Sequence, residues 1–157
     1  MINTQMYRDD VNFGLSNEEI TAKHIELFLI TYLKISNIKI RKYKNANSIF
    51  DWKVEGYNCL IELKSRRNDF YKYPTQLVGH NKIIYGRNKM KENNTEVFYF
   101  FLLEGVEPNT KELYLYVDSL CEILKVKRLG NFARGDKASN LCLIPNDKLI
   151  YCSTFSF

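Results

Sequence analysis

Hydrophobic and polar positions alternate most regularly over residues 48–64, SIFDWKVEGYNCLIELK. Two alternating runs flank Glu55-Gly56, and a glycine in so short a connection favours a hairpin with a two-residue turn. A period of two places every second side chain on the same face of a strand. One face of the predicted hairpin is therefore apolar, while the other carries the charged side chains. The apolar face comprises Phe50, Trp52, Val54, Tyr57, Cys59, Ile61 and Leu63.

The polar face of this hairpin contains two acids, Asp51 and Glu62, and two lysines, Lys53 and Lys64. With the two-residue turn, Asp51 pairs with Leu60, and Glu62 lies on its diagonal at a Cα separation of about 7–8 Å. Glu62 and Lys64 are two positions apart on one strand and so share this face. A shift of register by one residue would bury the charges and expose the aromatic side chains. The pattern therefore predicts that Asp51, Glu62 and Lys64 converge.

The rest of the chain predicts a mixture of helices and strands. Ser16 to Glu19 is typical of a capping box, so a helix is expected from Ser16 to about Leu33. The aromatic run Phe98–Phe101 predicts a strand buried on both faces rather than a surface that stacks bases. Residues 75–78 fit either a short strand or a helix start. The other predicted elements are a strand at 37–43, a helix at 80–93, a strand at 96–103, a strand at 113–117, a short helix at 118–125, a loop at 130–139 and a strand at 141–144.

Length and composition indicate one globular domain. The chain has 157 residues, of which 45% are hydrophobic and 26% are charged, and this composition disfavours disorder. Its four cysteines form no close pair, so neither a zinc site nor a disulfide framework is expected. Neither a leader pattern nor a long apolar run is found, which predicts a cytoplasmic protein with no membrane partner.

Charge is distributed unevenly along the chain. The net charge is +5, but residues 34–91 hold fourteen Lys and Arg against four acids, a balance of +10. A concentrated basic segment is the electrostatic footprint expected for a polyphosphate partner such as nucleic acid. The alternative is a solvated basic face with no partner. The two acids of the hairpin lie inside this basic segment.

Two carboxylates beside a lysine admit two interpretations. A Glu–Lys pair two residues apart on a strand is a common surface ion pair that contributes little to stability. The apolar neighbours of Glu62 and its basic surroundings favour a hard-cation site. Asp51 and Glu62 would bind Mg²⁺ through carboxylate oxygens and leave coordination positions for water and a phosphate. Lys64 would orient or deprotonate that water, or stabilise charge on the phosphate.

These positions resemble the motif of the PD-(D/E)xK nuclease superfamily. Asp51, ten intervening residues and Glu62-Leu63-Lys64 reproduce its D…(D/E)xK spacing, with Phe50 where proline is frequent. The superfamily includes restriction endonucleases and Holliday-junction resolvases. The resemblance implies catalysis by a metal-activated water.

The resemblance also implies a fold. It indicates an α/β domain with a restriction-endonuclease-like core, in which a mixed central β-sheet is flanked by helices. It covers a core of about residues 16–103. Residues 104–157 are then a C-terminal extension of a single nuclease-like domain, 1–157.

Roles for individual residues follow from the resemblance. The implied cofactor is Mg²⁺, for which Mn²⁺ substitutes. The implied metal ligands are Asp51, Glu62 and the Leu63 carbonyl. The implied catalytic residues are Asp51, Glu62, Lys64 and, from the first helix, Glu26, with Glu19 in reserve. The implied contacts to nucleic acid are Lys82 first, and then Arg66, Arg67, Gln76 and Arg87.

The sequence therefore predicts a metal-dependent deoxyribonuclease that hydrolyses phosphodiester bonds of double-stranded or branched DNA. A homodimer is compatible with this function, because small nucleases of this type often pair to cut two strands. The main alternative is a non-catalytic nucleic-acid-binding module with the same fold. A third is an interaction protein whose basic surface meets an acidic protein.

Overall fold

The computed structural model describes residues 4–36, 38–42, 50–130 and 139–157, with side chains from residue 18 onward. A single turn of 3-10 helix at Asn146–Lys148 connects the last two strands. None of the helices in these ranges has the length and apolar character needed to cross a bilayer. The elements in chain order are α1 (Thr4–Leu33), β1 (Ile40–Lys42), β2 (Trp52–Val54), β3 (Cys59–Asp69), β4 (Thr75–Gly79), α2 (His80–Asn93), β5 (Glu96–Glu104), β6 (Lys111–Val117), β7 (Lys125–Leu129), β8 (Ser139–Pro145) and β9 (Ile150–Phe155).

The strands form two sheets. The central sheet has six strands in the order β1-β2-β3-β5-β6-β9, and the second has three in the order β4-β8-β7. Within the central sheet β3 and β5 are parallel, and the other neighbours are antiparallel. A parallel pair requires a crossover, which β4 and α2 supply between β3 and β5. The predicted α/β class with a mixed central sheet is thus confirmed.

The central sheet separates two hydrophobic cores. On one face, Ile25 and Leu29 of α1 pack against a cluster that includes Trp52 and Ile61. On the other face, α2 and the second sheet pack on a cluster that includes Tyr99. Because β5 lies between these layers, its residues from Val97 to Leu103 are all buried. The prediction that the aromatic run is a core strand is confirmed.

The hairpin forms with a register different from the predicted one. Trp52 pairs with Ile61 rather than with Cys59, a shift of two residues that keeps the side chains of the paired residues on their predicted faces. The two-residue turn is wrong because the strands are joined by four residues, in which Gly56 has φ +74°. Asn58 is drawn away from the hairpin, since its side chain donates to the carbonyl of Asn93 at 2.8 Å.

One side chain of the predicted apolar face lies elsewhere. Strand β2 begins at Trp52, so Phe50 precedes the strand and does not follow its alternation. Its ring packs on the opposite side of the sheet, with centroids 5.9 Å from Tyr85 and 5.8 Å from Tyr99. Phe50 therefore belongs to the core beneath α2.

Two predicted helices need correction. Helix α1 begins at Thr4, so the predicted cap at Ser16 lies inside the helix. A capping sequence does not start a helix where the preceding residues also accept helical geometry. Residues 118–124 are irregular where a short helix was predicted, and strand β7 begins at Lys125.

The C-terminal extension completes both sheets. The predicted strands at 113–117 and 141–144 are confirmed as β6 and β8, and residues 75–78 form a strand. The two strands that the pattern missed are β7 and β9. Residues 131–138 of the predicted loop lie outside the described residues.

Candidate active site

Asp51 is held against the next strand by its carboxylate. Its Oδ2 accepts the backbone N–H of Leu63 at 2.9 Å. Extending the observed register by one residue places Asp51 opposite Glu62, closer than the diagonal position that the sequence predicted. Leu63 directly follows Glu62 in sequence, and its amide fixes the Asp51 carboxylate against this strand.

Glu62 is the buried centre of the site, with 1% of its surface exposed. It faces α2, because it pairs with Tyr99 of the core beneath that helix. Its Oε1 accepts a hydrogen bond from the ammonium group of Lys64 at 2.7 Å and another from that of Lys82. Its Oε2 is buried and has no hydrogen-bond partner among the described residues. One oxygen of this carboxylate is therefore doubly paired, and the other is unpaired.

Burial changes the protonation of the two central groups. The pKa of Glu62 is raised, chiefly by burial and further by the nearby Asp51, although Lys64 and Lys82 act in the opposite direction. The pKa of Lys64 is lowered, chiefly by burial and also by Lys82, against the attraction of Glu62. Both shifts favour neutral forms, because loss of hydration disfavours a buried charge. Perturbed groups that contact one another are typical of functional sites.

The position of Lys82 depends on the packing of α2 against β5. Lys82 lies in the first turn of α2, and its carbonyl accepts the hydroxyl of Tyr99 at 3.2 Å. One turn later, Gly86 lets the helix approach the sheet, since a Cβ there would stand 3.0 Å from the Tyr99 hydroxyl. Arg87 then donates to both oxygens of the buried Asp118 at 2.9 Å. These contacts fix the helix that carries Lys82 above Glu62.

The other basic and amide candidates are arranged differently. Arg66 is half-buried and donates to the carbonyl of Leu77 at 3.0 Å, and burial lowers its pKa. Arg67 is exposed. Gln76 is buried and donates to the side chain of Asn146 at 3.3 Å. Arg87 is engaged with Asp118. The structure therefore brings together Asp51, Glu62, Lys64 and Lys82, with Arg66 close enough to influence Glu62.

The acids of α1 contact the first strand of the sheet. Glu26 accepts the N–H of Ile40 at 3.0 Å, and no described contact joins it to the acids of the hairpin. Glu19, the reserve candidate, lines a groove of about 450 Å³ with Lys42 and Trp52. Trp52 belongs to the core on the α1 face of the central sheet, whereas Glu62 faces α2, so this groove and the Glu62 carboxylate lie on different faces.

Sequence reasoning missed the residues that fix α2. Asp118 is buried, and its Oδ1 also accepts the hydroxyl of Tyr116 at 2.8 Å. Tyr99 and Tyr116 were predicted only as residues of the strands at 96–103 and 113–117, and no hydrogen bond was predicted for their hydroxyl groups. An acid at the end of an apolar strand was the one available signal, and it did not identify Arg87 as the partner.

The donor set fits a hard cation. Among the described residues no group of three or more His, Cys, Asp or Glu side chains converges. Mg²⁺, however, is usually bound by one or two carboxylates together with waters and phosphates. The unpaired Oε2 of Glu62 is an oxygen donor with no competing partner in the described chain. Asp51 and Glu62 are therefore the residues that could hold such an ion.

Comparisons with known proteins give no match. No protein-family model, no curated protein and no solved structure matches the chain.

Proposed function

We propose that this chain is a Mg²⁺-dependent nuclease that hydrolyses DNA phosphodiester bonds. The observation that carries the proposal is the buried Glu62, whose Oε1 receives two lysines while its Oε2 is unpaired. Burial of an unpaired carboxylate oxygen costs free energy unless a ligand satisfies it. A divalent cation beside Asp51 and Glu62 would satisfy it.

The order of the elements supports the same proposal. A helix precedes an antiparallel β1-β2-β3 meander, and a second helix then leads to β5, which is parallel to β3. This is the order implied by the resemblance to restriction-endonuclease-like cores, with β4 as an addition. Asp51 directly precedes the second strand, β2, and Glu62 and Lys64 lie on the third strand, β3. These are the strands on which the resemblance places the motif.

Each residue of the site has a role in the proposed reaction. Asp51 and Glu62 would hold Mg²⁺, with the Leu63 carbonyl as a further ligand, and the bound ion would polarise the phosphate and acidify a water. Burial lowers the pKa of Lys64, and in its neutral form Lys64 would take up the proton of the attacking water. Lys82 binds the non-bridging phosphate oxygens. The water oxygen bonds to phosphorus, one bridging P–O bond breaks, and the leaving oxygen takes a proton from solvent.

The cellular setting and partners are part of the proposal. Duplex or branched DNA is the polyanion that the basic segment 34–91 would bind. A homodimer would place two such sites on two strands. All four cysteines are free, which suits a reducing cytoplasm.

A second candidate function is non-catalytic binding of nucleic acid. It is favoured by the pairing of Lys64 and Lys82 with Glu62, which balances the Glu62 charge without a metal. In that case the basic surface would bind phosphates, and the acid would only orient the lysines.

One experiment distinguishes the two functions. The chain is incubated with circular, linear, single-stranded and branched DNA, with Mg²⁺, with Mn²⁺ and with chelator. Metal-dependent cleavage that Glu62→Gln abolishes is the expected result. Salt-sensitive binding without cleavage of any substrate would support the binding module and contradict the nuclease.

A further inference from the structure

The turn between β3 and β4 presents two aromatic side chains to solvent. This turn, residues 70–74, has the sequence FYKYP. Tyr71 is 80% exposed and Tyr73 is 50% exposed, whereas the aromatic side chains of β5 are buried. Two exposed tyrosines separated by one residue provide flat, amphipathic surfaces for a partner with a π-face.

The first half of the turn is ordered by an acid. Oδ1 of Asp69 accepts the backbone N–H of Tyr71 at 2.8 Å and that of Lys72 at 2.9 Å. Such a side-chain-to-backbone turn fixes the local chain direction. Asp69 therefore sets the conformation of the backbone that carries Tyr71 and Lys72.

The second half of the turn is anchored to the body of the protein. Nδ2 of Asn146 donates to the carbonyls of Phe70 and Tyr73, each at 2.7 Å. The ring of Phe70 stacks on Tyr114 of β6, with centroids 4.7 Å apart and planes inclined by 19°. Because both ends of the turn are held by these contacts, the fold keeps Tyr71 and Tyr73 exposed.

The charge of the turn matches a polyanion. The ammonium of Lys72 lies over the ring of Tyr73, 5.5 Å from its centroid. The strand that leads into the turn carries Lys64, Arg66 and Arg67. Alternation of aromatic and basic side chains is typical of surfaces that bind single-stranded nucleic acid, in which bases stack and cations meet phosphates.

We infer that turn 70–74 is a platform on which unpaired nucleobases stack, so that DNA with single-stranded or locally unpaired segments, as at a branch, is preferred over a plain duplex. This inference rests on the proposed function for its choice of partner. Paired bases present no free π-face except at ends, and therefore a duplex gains little from Tyr71 and Tyr73.

The distance from the site is suitable for one strand to reach both. Lys64 and Tyr71 are seven residues apart along β3 and its turn, which corresponds to roughly 20 Å. A stacked strand advances about 3.4 Å per nucleotide, so roughly six nucleotides span this separation. A strand of twelve nucleotides is long enough to engage both.

The test measures binding rather than cleavage. Fluorescein-labelled oligothymidylate of twelve nucleotides and a twelve-base-pair duplex are titrated with the full chain in chelator, and fluorescence anisotropy gives Kd. Tyr71→Ala and Tyr73→Ala are each expected to weaken single-strand binding about tenfold, the range for loss of one stacked base. Duplex binding is expected to change less than twofold.

Two control variants separate stacking from a general effect. Tyr71→Phe keeps the ring, and its single-strand Kd is expected to stay within twofold of the wild type. Tyr32→Ala removes another tyrosine, 41% exposed on α1, and is expected to leave both Kd values unchanged. Urea unfolding of each variant establishes that it is folded under the binding conditions.

Several outcomes would overturn the inference. These are the absence of single-strand binding by the wild type, unchanged binding in both alanine variants, and equal weakening for single strand and duplex. Self-association of the wild type that is lost in Tyr71→Ala, with unchanged oligonucleotide affinity, would indicate a protein interface instead.

Cleavage assayed separately in Mg²⁺ keeps this inference distinct from the proposed function. If the tyrosine variants lose single-strand binding and the wild type cleaves no DNA, the nuclease fails and the platform stands. If the wild type cleaves and the variants bind normally, the platform fails and the nuclease stands.

Discussion

Replacement of Arg87 by alanine tests how α2 is fixed to the central sheet. Nε and Nη2 of Arg87 each donate to one oxygen of Asp118 at 2.9 Å, and the Asp118 side chain is fully buried. In Arg87→Ala the Asp118 carboxylate stays buried. Among the described contacts, its remaining side-chain donor is the Tyr116 hydroxyl at 2.8 Å. An uncompensated buried charge is strongly destabilising.

The size of the loss follows from this geometry. Removing one partner of a buried ion pair typically costs about 3–5 kcal/mol. The side chain of Arg87 is 23% exposed, and Tyr116 still donates to Asp118, so both features favour the lower end of this range of free energy. We expect a loss of about 3 kcal/mol in the free energy of unfolding. For a chain of this length that corresponds to a fall in Tm of about 6–12 °C.

Urea unfolding provides the assay. Trp52 is the single tryptophan and is 4% exposed, so its fluorescence reports the loss of the core. Arg41→Ala is the matched control, because Arg41 makes a comparable 3.0 Å contact with Glu55 but both side chains are about half exposed. That exposed pair is expected to contribute no more than about 1 kcal/mol. If Arg87→Ala costs no more than Arg41→Ala, the argument that the buried pair fixes α2 is refuted.

The remaining predictions concern the site and its helix. Lys82→Ala is expected to slow metal-dependent cleavage about 100-fold, because a positioned cation on the phosphate is lost, whereas Lys125→Ala, outside the basic segment 34–91, stays within twofold. Folding raises the pKa of Glu62, so in chelator the free energy of unfolding of the wild type is expected to fall as the pH rises from 4.5 through the folded-state pKa. Urea titrations at several pH values measure this fall, which Glu62→Gln should lack. If the free energy of unfolding of Glu62→Gln falls with pH as steeply as that of the wild type, the assignment to Glu62 is contradicted. Gly86→Ala is expected to destabilise by about 1 kcal/mol in urea, since crowding against the buried Tyr99 exceeds the gain in helix propensity, and a stabilised variant would contradict it.

The faces of the hairpin were predictable from sequence, but its register was not. A period of two determines which side chains share a face, and so Glu62 and Lys64 were placed together correctly. The longer connection includes Asn58, which bonds to Asn93 at the end of α2 and to Thr95 beyond it. These partners are 35 and 37 residues away in sequence, and no local pattern identifies them.

Other parts of the fold lacked a local signal. Every residue of β7 is exposed, so the strand shows no alternation between buried and solvent faces. The contact between Arg87 and Asp118 spans 31 residues, which is why it was not predicted and Arg87 was expected, through the resemblance, to contact nucleic acid. Lys82 was placed at the site through the resemblance, and its contact with Glu62 depends on the packing of α2 on β5.

The central claim is that the buried acid and its lysines cut DNA. The most direct measurement is the rate of DNA cleavage with protein in excess, in Mg²⁺ and in chelator, for the wild type, Lys64→Ala and Lys125→Ala. Lys125 is an exposed strand lysine on β7 and serves as the matched control. We predict cleavage by the wild type and Lys125→Ala in Mg²⁺ alone, with Lys64→Ala slower by about 100-fold or more. No cleavage by the wild type, or equal rates for the two lysine variants, would contradict the claim.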